Sequence, residues 1–147
     1  MKKVLIITYY WPPSGGAGVQ RWLKFAKYLP QYGWEPIIYT PENPDFAIED
    51  ASLTKDVAPG LQVLKSTIWE PYELYKMLIG KKGQKVNVSF AEGSKKQGRI
   101  HKFALALRGN LLIPDPRCFW IKPSVKLLRK YLREHPVDAI ISTGPPH

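Results

Sequence analysis

Short apolar runs separated by longer amphipathic segments organise this chain. Four such runs predict strands, at residues 3–8, 34–40, 61–66 and 137–143. The runs at 3–8 and 137–143 have the pattern typical of strands that are buried on both faces of a parallel sheet. Because a helical pattern joins the first two runs, they form a strand–helix–strand unit, and we expect the first strand to be central in the sheet.

Two segments repeat their apolar residues with helical spacing, at residues 19–29 and 123–134. Pro30 and Gly33 predict the end of the first helix, since proline interrupts the hydrogen-bond ladder and glycine suits a left-handed cap. Two weaker amphipathic segments lie at residues 70–79 and 100–112. The sequence therefore predicts an α/β fold in one domain over residues 1–147, a Rossmann-like parallel sheet flanked by helices.

Charge is concentrated in the middle of the chain. The 147 residues carry 22 Lys and Arg against 12 Asp and Glu, a net charge of +10. Residues 76–108 hold nine basic residues and one acidic residue, whereas residues 1–75 have a net charge of −1. We interpret residues 76–108 as a basic insertion.

Two interpretations of this insertion stay open. Basic residues interleaved with apolar ones suit contact with anionic lipid headgroups, and the same composition is typical of a solvated insertion. No reader motif for nucleic acid accompanies the charge, so we expect no nucleic-acid partner. The candidates for facing a membrane are Lys81, Lys82, Lys85, Lys95, Lys96, Arg99 and Lys102.

Cysteine content and hydropathy indicate in which cellular compartment the protein resides. Cys118 is the only cysteine, which excludes an internal disulfide and makes a cysteine metal cluster unexpected. No apolar stretch reaches the roughly 18 residues of a membrane-spanning helix. We expect a cytoplasmic protein, with peripheral attachment to the inner face of the plasma membrane as the alternative to free solution.

The loop after the first predicted strand is rich in glycine and carries the main candidate chemistry. Gly15, Gly16 and Gly18 precede a helix, and glycines there let a phosphate approach the backbone N–H groups and the positive helix end. A dinucleotide-binding fingerprint requires glycine where Arg21 stands, and the Gly-Lys-Ser/Thr of a P-loop is missing. A turn that packs the helix against the strand without any ligand is the competing explanation.

The segment KVLIITYYWPPSGGAGVQRWLKFAKYLPQYGWEPIIYT resembles the start of the N-terminal domain of family 4 glycosyltransferases, which are retaining enzymes with the GT-B fold. IPDPR and DAIISTGPPH also resemble that domain. The resemblance covers residues 1–66 and 111–147 well and the basic insertion poorly. It implies that this chain is the acceptor-side, N-terminal half of a GT-B fold.

The resemblance also implies roles for single residues. Gly15 and Gly16 correspond to glycines whose backbone faces the donor diphosphate, and Gly18 begins the helix beside it. His147 corresponds to a catalytic histidine near the transferred sugar. Candidates for the acceptor side are Tyr10, Trp11, Arg21, Asp115 and Arg117.

By this resemblance the whole protein transfers a sugar from a UDP- or GDP-linked donor to a lipid-linked or polysaccharide acceptor, without metal or cofactor. In the family a C-terminal domain binds the donor, and its cations stabilise the leaving diphosphate. Since the chain stops directly after a predicted strand and lacks that domain, we expect an N-terminal fragment that is inactive alone. The alternatives are a non-catalytic module that docks to anionic membrane or a partner protein through residues 76–108, and a nicotinamide- or flavin-binding domain.

Overall fold

Four parallel strands and two α-helices make up the computed structural model, which describes residues 1–44, 48–68 and 116–144. The strands are β1 (Lys2–Ile7), β2 (Trp34–Pro41), β3 (Gln62–Ser66) and β4 (Ala139–Ser142), and the helices are α1 (Ala17–Tyr28) and α2 (Ile121–Glu134). The four predicted strands and the two stronger helices are confirmed. The predicted helical segments 70–79 and 100–112 and the basic insertion lie outside the described residues.

The strand order is β3-β2-β1-β4, and all pairs are parallel. β1 is central, as its uninterrupted apolar run predicts. Pro36 lies within β2, an inner strand, where proline is unusual. It pairs with Val4 of β1, but the pairing with β3 begins only at Ile37, so Pro36 has a strand neighbour on one side alone.

The chain leaves α1 through a short 3-10 helix, Leu29–Tyr32, and ends it at Gly33. Gly33 has φ 79° and ψ 17°, the left-handed conformation that glycine adopts without steric cost. Its N–H donates to the carbonyl of Pro30 over 3.1 Å. The predicted helix end is therefore confirmed, and β2 starts at the next residue.

The sheet buries two apolar faces, each covered by one helix. Val4, Ile6 and Ile38 point to one face and pack with apolar residues of α1. Leu5 and Ile37 point to the other face, where the partly buried α2 residues Leu127, Leu128, Tyr131 and Leu132 pack. The alternation follows from the two-residue period of a strand, so α1 and α2 lie on opposite faces of the sheet.

A network of hydrogen bonds links α2 to the sheet. The Tyr39 hydroxyl bonds to Ser66 Oγ over 2.5 Å and to Ser124 Oγ over 2.8 Å. The Trp120 indole N–H also donates to Ser66 Oγ, over 2.8 Å, and its ring stacks on Tyr39 with centroids 5.1 Å apart. This network joins β2, β3 and the start of α2.

Two segments differ from the sequence prediction. A 3-10 helix, Ala51–Asp56, stands where the sequence predicts no element, and Asp50 caps it by accepting the Ser52 N–H at 3.0 Å. α2 begins at Ile121, two residues before the predicted start, because the 3-10 helix Pro116–Trp120 leads directly into it. Within the described ranges, no helix is long and apolar enough to cross a bilayer.

Candidate functional site

A cavity lies where β1 and β4 end. β2 and β3 lie on one side of β1 and β4 lies on the other, so the strand order reverses between β1 and β4. In open α/β sheets, ligands bind in the crevice at the carboxyl ends of the strands at such a switch point. Thr8 follows β1 and Thr143 follows β4, and their hydroxyl oxygens are 3.4 Å apart.

This switch-point cavity has a volume of about 680 Å³, within the usual size of a small-molecule site. Its walls come from the strand ends, the glycine-rich loop, the first turns of α1 and a single residue of the segment after Pro44. The lining residues are Thr8, Tyr10, Ser14, Gly15, Gly16, Ala17, Gly18, Val19, Arg21, Trp22, Ile48, Thr143 and Gly144.

The first turn of α1 offers hydrogen-bond donors to this cavity. The N–H groups of Val19 and Gln20 donate to the Gly16 carbonyl. Those of Gly16, Ala17 and Gly18 have no acceptor among the residues that the structure describes. No side chain caps this helix end and no acidic residue lies in its first turn. The positive end of the helix dipole is therefore open to an anionic ligand.

At each of the first two glycine positions of the loop, a different structural constraint requires glycine. Gly16 has φ 107° and ψ 164°, a conformation that only glycine adopts readily. A Cβ on Gly15 would lie 2.7 Å from Ile48 Cγ2, so the close approach of that segment requires glycine. The Gly15 N–H donates to the Ile48 carbonyl over 2.9 Å. That N–H is therefore already bonded within the chain.

Ser14 is a buried polar residue of the cavity wall, and its hydroxyl has no partner among the described residues. Its side chain is 1% exposed. Thr8 and Thr40 are buried to a similar degree, and their hydroxyls donate to the carbonyls of Tyr10 and Tyr9. No such bond is found for the Ser14 hydroxyl within the described ranges. A buried hydroxyl without a partner is unfavourable, so this one is available to a ligand in the cavity.

Arg21 supplies the positive charge of the cavity wall. It lies on α1 about one turn after Gly18 and is exposed, with its guanidinium 5.8 Å from the centroid of the Trp22 ring. Among the described residues that line the cavity, it is the only charged one. Together with the open helix end, Arg21 makes this cavity suited to an anion.

The aromatic residues of the loop lie in different surroundings. Tyr10 is partly buried and lines the switch-point cavity. Tyr9 and Trp11 are each 5% exposed. Trp11 packs in the core on the α1 face and lines a different, smaller cavity of about 260 Å³. Trp11 therefore does not line the switch-point cavity with Tyr10 and Arg21.

The remaining predicted site residues are largely beyond what the structure describes. Asp115, His147 and all seven candidate membrane-facing residues lie outside the described ranges, and Arg117 lies on the 3-10 helix Pro116–Trp120. In the described part of the chain, no three His, Cys, Asp or Glu residues are grouped so as to hold a metal ion.

Several cavity residues were not among the predicted site residues. The sequence pattern could have identified Thr8 and Thr143, because each is the polar residue that directly follows an apolar strand. Ser14 belongs to the glycine-rich loop and adjoins the predicted glycines. Ile48 carries no such signal, because only the fold brings it against Gly15.

The chain was also compared with known proteins. No model of a protein family, no curated protein sequence and no solved structure matches it significantly.

Proposed function

We propose that this chain is the N-terminal, acceptor-side domain of a retaining GT-B glycosyltransferase and that its switch-point cavity contacts the diphosphate of a nucleotide-sugar donor. One observation carries the proposal: Gly16, Ala17 and Gly18, whose N–H groups have no acceptor among the described residues, line a cavity at the point where the strand order reverses. Anions bind favourably at such helix ends. The loop motif that resembles family 4 glycosyltransferases supports the same assignment.

The chemistry of the transfer fits this arrangement. Breaking the bond between sugar and diphosphate places negative charge on the departing phosphate oxygens, and donors fixed in advance stabilise that charge. The three N–H groups and Arg21 supply such donors on this side. Tyr10 and Trp22 line the same cavity and offer apolar surface to a sugar or acceptor.

In the family that the loop resembles, a C-terminal domain supplies the other cationic groups that neutralise the diphosphate and the carboxylate that binds the ribose. The proposal therefore includes weak donor binding and no turnover by the 147-residue chain alone, with a lipid-linked or polysaccharide precursor as acceptor. The GT-B arrangement and the role of residues 76–108 as an insertion are parts of the same proposal.

A transfer assay with radiolabelled UDP- and GDP-sugars tests this function. We expect no transfer by the 147-residue chain and transfer when a donor-binding domain of the family is joined to it. Substitution of Arg21 by Ala in the joined protein is expected to lower kcat. Full turnover by the 147 residues alone, or no transfer by any joined protein, would contradict the proposal.

A further inference from the structure

The solvent-facing side of α2 carries a row of positive charge. Four of its basic residues follow one another at spacings of four, three and four, which places them along one stripe of the helix, and a fifth lies beside it. All five are exposed. They are Lys122, Lys126, Arg129, Lys130 and Arg133. We call these five residues the α2 basic face.

None of these charges is balanced by an ion pair within the described ranges. The one salt bridge found there joins Lys24 of α1 to Asp56 over 3.3 Å. On α2 itself, Glu134 is the only acidic residue. Like charges four residues apart repel on a helix, as in the pair Lys126 and Lys130, so this arrangement weakens the helix when it has no partner.

Exposed apolar side chains lie next to the charges. Ile121 is 60% exposed and Val125 is 46% exposed. They stand one turn apart at the start of α2, and both line the same open concavity as the basic residues. The α2 face thus presents aliphatic and cationic groups side by side, although the apolar stripe of the helix is already packed against the sheet.

We propose that the α2 basic face docks onto the anionic surface of a lipid bilayer. A bilayer interface accepts both kinds of group, since headgroups attract the cations and the acyl boundary receives Ile121 and Val125. Phosphates of a nucleic acid offer nothing to aliphatic side chains. A straight helix of 14 residues is about 21 Å long and presents its row of charges to a flat surface.

The position of α2 in the fold is compatible with this docking. α2 covers the sheet face opposite to α1 and contributes no residue to the switch-point cavity. A bilayer on the α2 side therefore leaves the cavity accessible. The charge of residues 76–108, which precede α2 in the sequence, has the same sign. The proposal does not depend on the function proposed for the cavity.

Vesicle co-sedimentation of the 147-residue chain tests the docking. The vesicles consist of phosphatidylcholine alone or of phosphatidylcholine mixed with phosphatidylglycerol. We expect binding to the mixed vesicles only, and a loss of at least roughly tenfold in affinity in the double variant Lys126→Glu, Arg129→Glu. The matched control is Lys27→Glu, Lys55→Glu, which changes the net charge equally outside α2 and is expected to stay within about threefold of the unchanged chain.

A second variant separates a lipid from an acidic macromolecule. Ile121→Ser combined with Val125→Ser keeps every charge and is expected to weaken vesicle binding several-fold, because it removes the side chains that enter the interface. Circular dichroism checks that each variant is folded. If the Glu variant unfolds, Lys126→Gln, Arg129→Gln replaces it, with a several-fold loss expected.

Three results would overturn the proposal. They are equal binding to neutral and anionic vesicles, equal losses in the α2 variant and its control, and a folded α2 variant that binds like the unchanged chain. Retention of the chain on duplex RNA or polyglutamate with no binding to anionic vesicles would identify a different partner and would also reject it.

Discussion

The three glycines of the loop after β1 differ in what an added Cβ would meet. At Gly15 the neighbour is Ile48, and at Gly16 the backbone itself excludes other residues. At Gly18 nothing lies within 4 Å and φ is not positive. Since neither packing nor backbone conformation requires a glycine there, Gly18 is the position at which a role in ligand binding is separable from a role in folding.

Gly18→Ala is expected to raise stability and lower affinity at the same time. Alanine restricts the unfolded chain and suits a helix, so the free energy of unfolding rises by about 0.4–1 kcal/mol. Its Cβ hinders a phosphate at the first turn of α1, so the affinity for a nucleoside diphosphate falls roughly fivefold, the value of about one hydrogen bond. Urea unfolding and a diphosphate titration measure the two effects.

Gly15→Ala is the matched control in the same loop. Its Cβ collides with the branched Ile48 side chain and approaches Asp50 Cβ to 3.2 Å, which is expected to lower stability by about 1–3 kcal/mol. If Gly18→Ala left diphosphate binding unchanged, the glycine at that position would have no part in ligand approach.

Ser14→Ala tests whether the buried hydroxyl serves a ligand. Because this hydroxyl has no partner in the described ranges, its removal is expected to leave the free energy of unfolding unchanged or to raise it by up to about 2 kcal/mol. Diphosphate affinity is expected to fall roughly fivefold.

Thr8→Val provides the comparison, since the Thr8 hydroxyl donates to the Tyr10 carbonyl over 3.1 Å. Its loss is expected to destabilise the fold by about 1 kcal/mol. A similar destabilisation by Ser14→Ala would show that Ser14 has a structural partner and would remove it from the site.

At the scale of elements, attachment of α2 depends on a polar network as well as on apolar packing. None of the α2 residues that face the sheet is fully buried. The Tyr39 hydroxyl, by contrast, is bonded to both Ser66 and Ser124, and so links two strands to the helix.

Tyr39→Phe is therefore expected to lower the free energy of unfolding by about 1–3 kcal/mol, because the partly buried hydroxyls of Ser66 and Ser124 lose a partner. Tyr131→Phe is the control: its hydroxyl makes one exposed bond to Gln62, so a change below about 0.5 kcal/mol is expected. Equal effects of the two substitutions in urea unfolding would contradict a special role for the network.

The sequence predicts elements better than it predicts their ends and the contacts between them. Gly33 marks the end of the α1 region because its requirement for a left-handed backbone is local. The bond between Tyr39 and Ser124 spans 85 positions, and no local pattern indicates it. The 3-10 helix at Ala51–Asp56 has an aspartate cap, but the helix is too short for the spacing of apolar residues to indicate it in the sequence.

At the scale of the whole molecule, the strand order places the glycine-rich loop beside a cavity, and this makes the loop a candidate binding site. The loop motif and the order of strands and helices predict a phosphate near the start of α1. The strand order places Thr8, Thr143 and this helix end around one cavity. Trp11 shows the limit of the prediction, since an aromatic residue after a strand is equally compatible with burial in the core and with exposure in a cleft.

The most direct test of the central claim is an NMR titration of the amide groups of the 147-residue chain with UDP and GDP, each up to about 10 mM, a range suited to weak binding. We expect saturable shifts of the Gly16, Ala17 and Gly18 amides, absent with uridine or guanosine and weakened in Gly18→Ala. Unshifted amides at these three residues, or equal shifts with the nucleosides that lack phosphate, would contradict the claim.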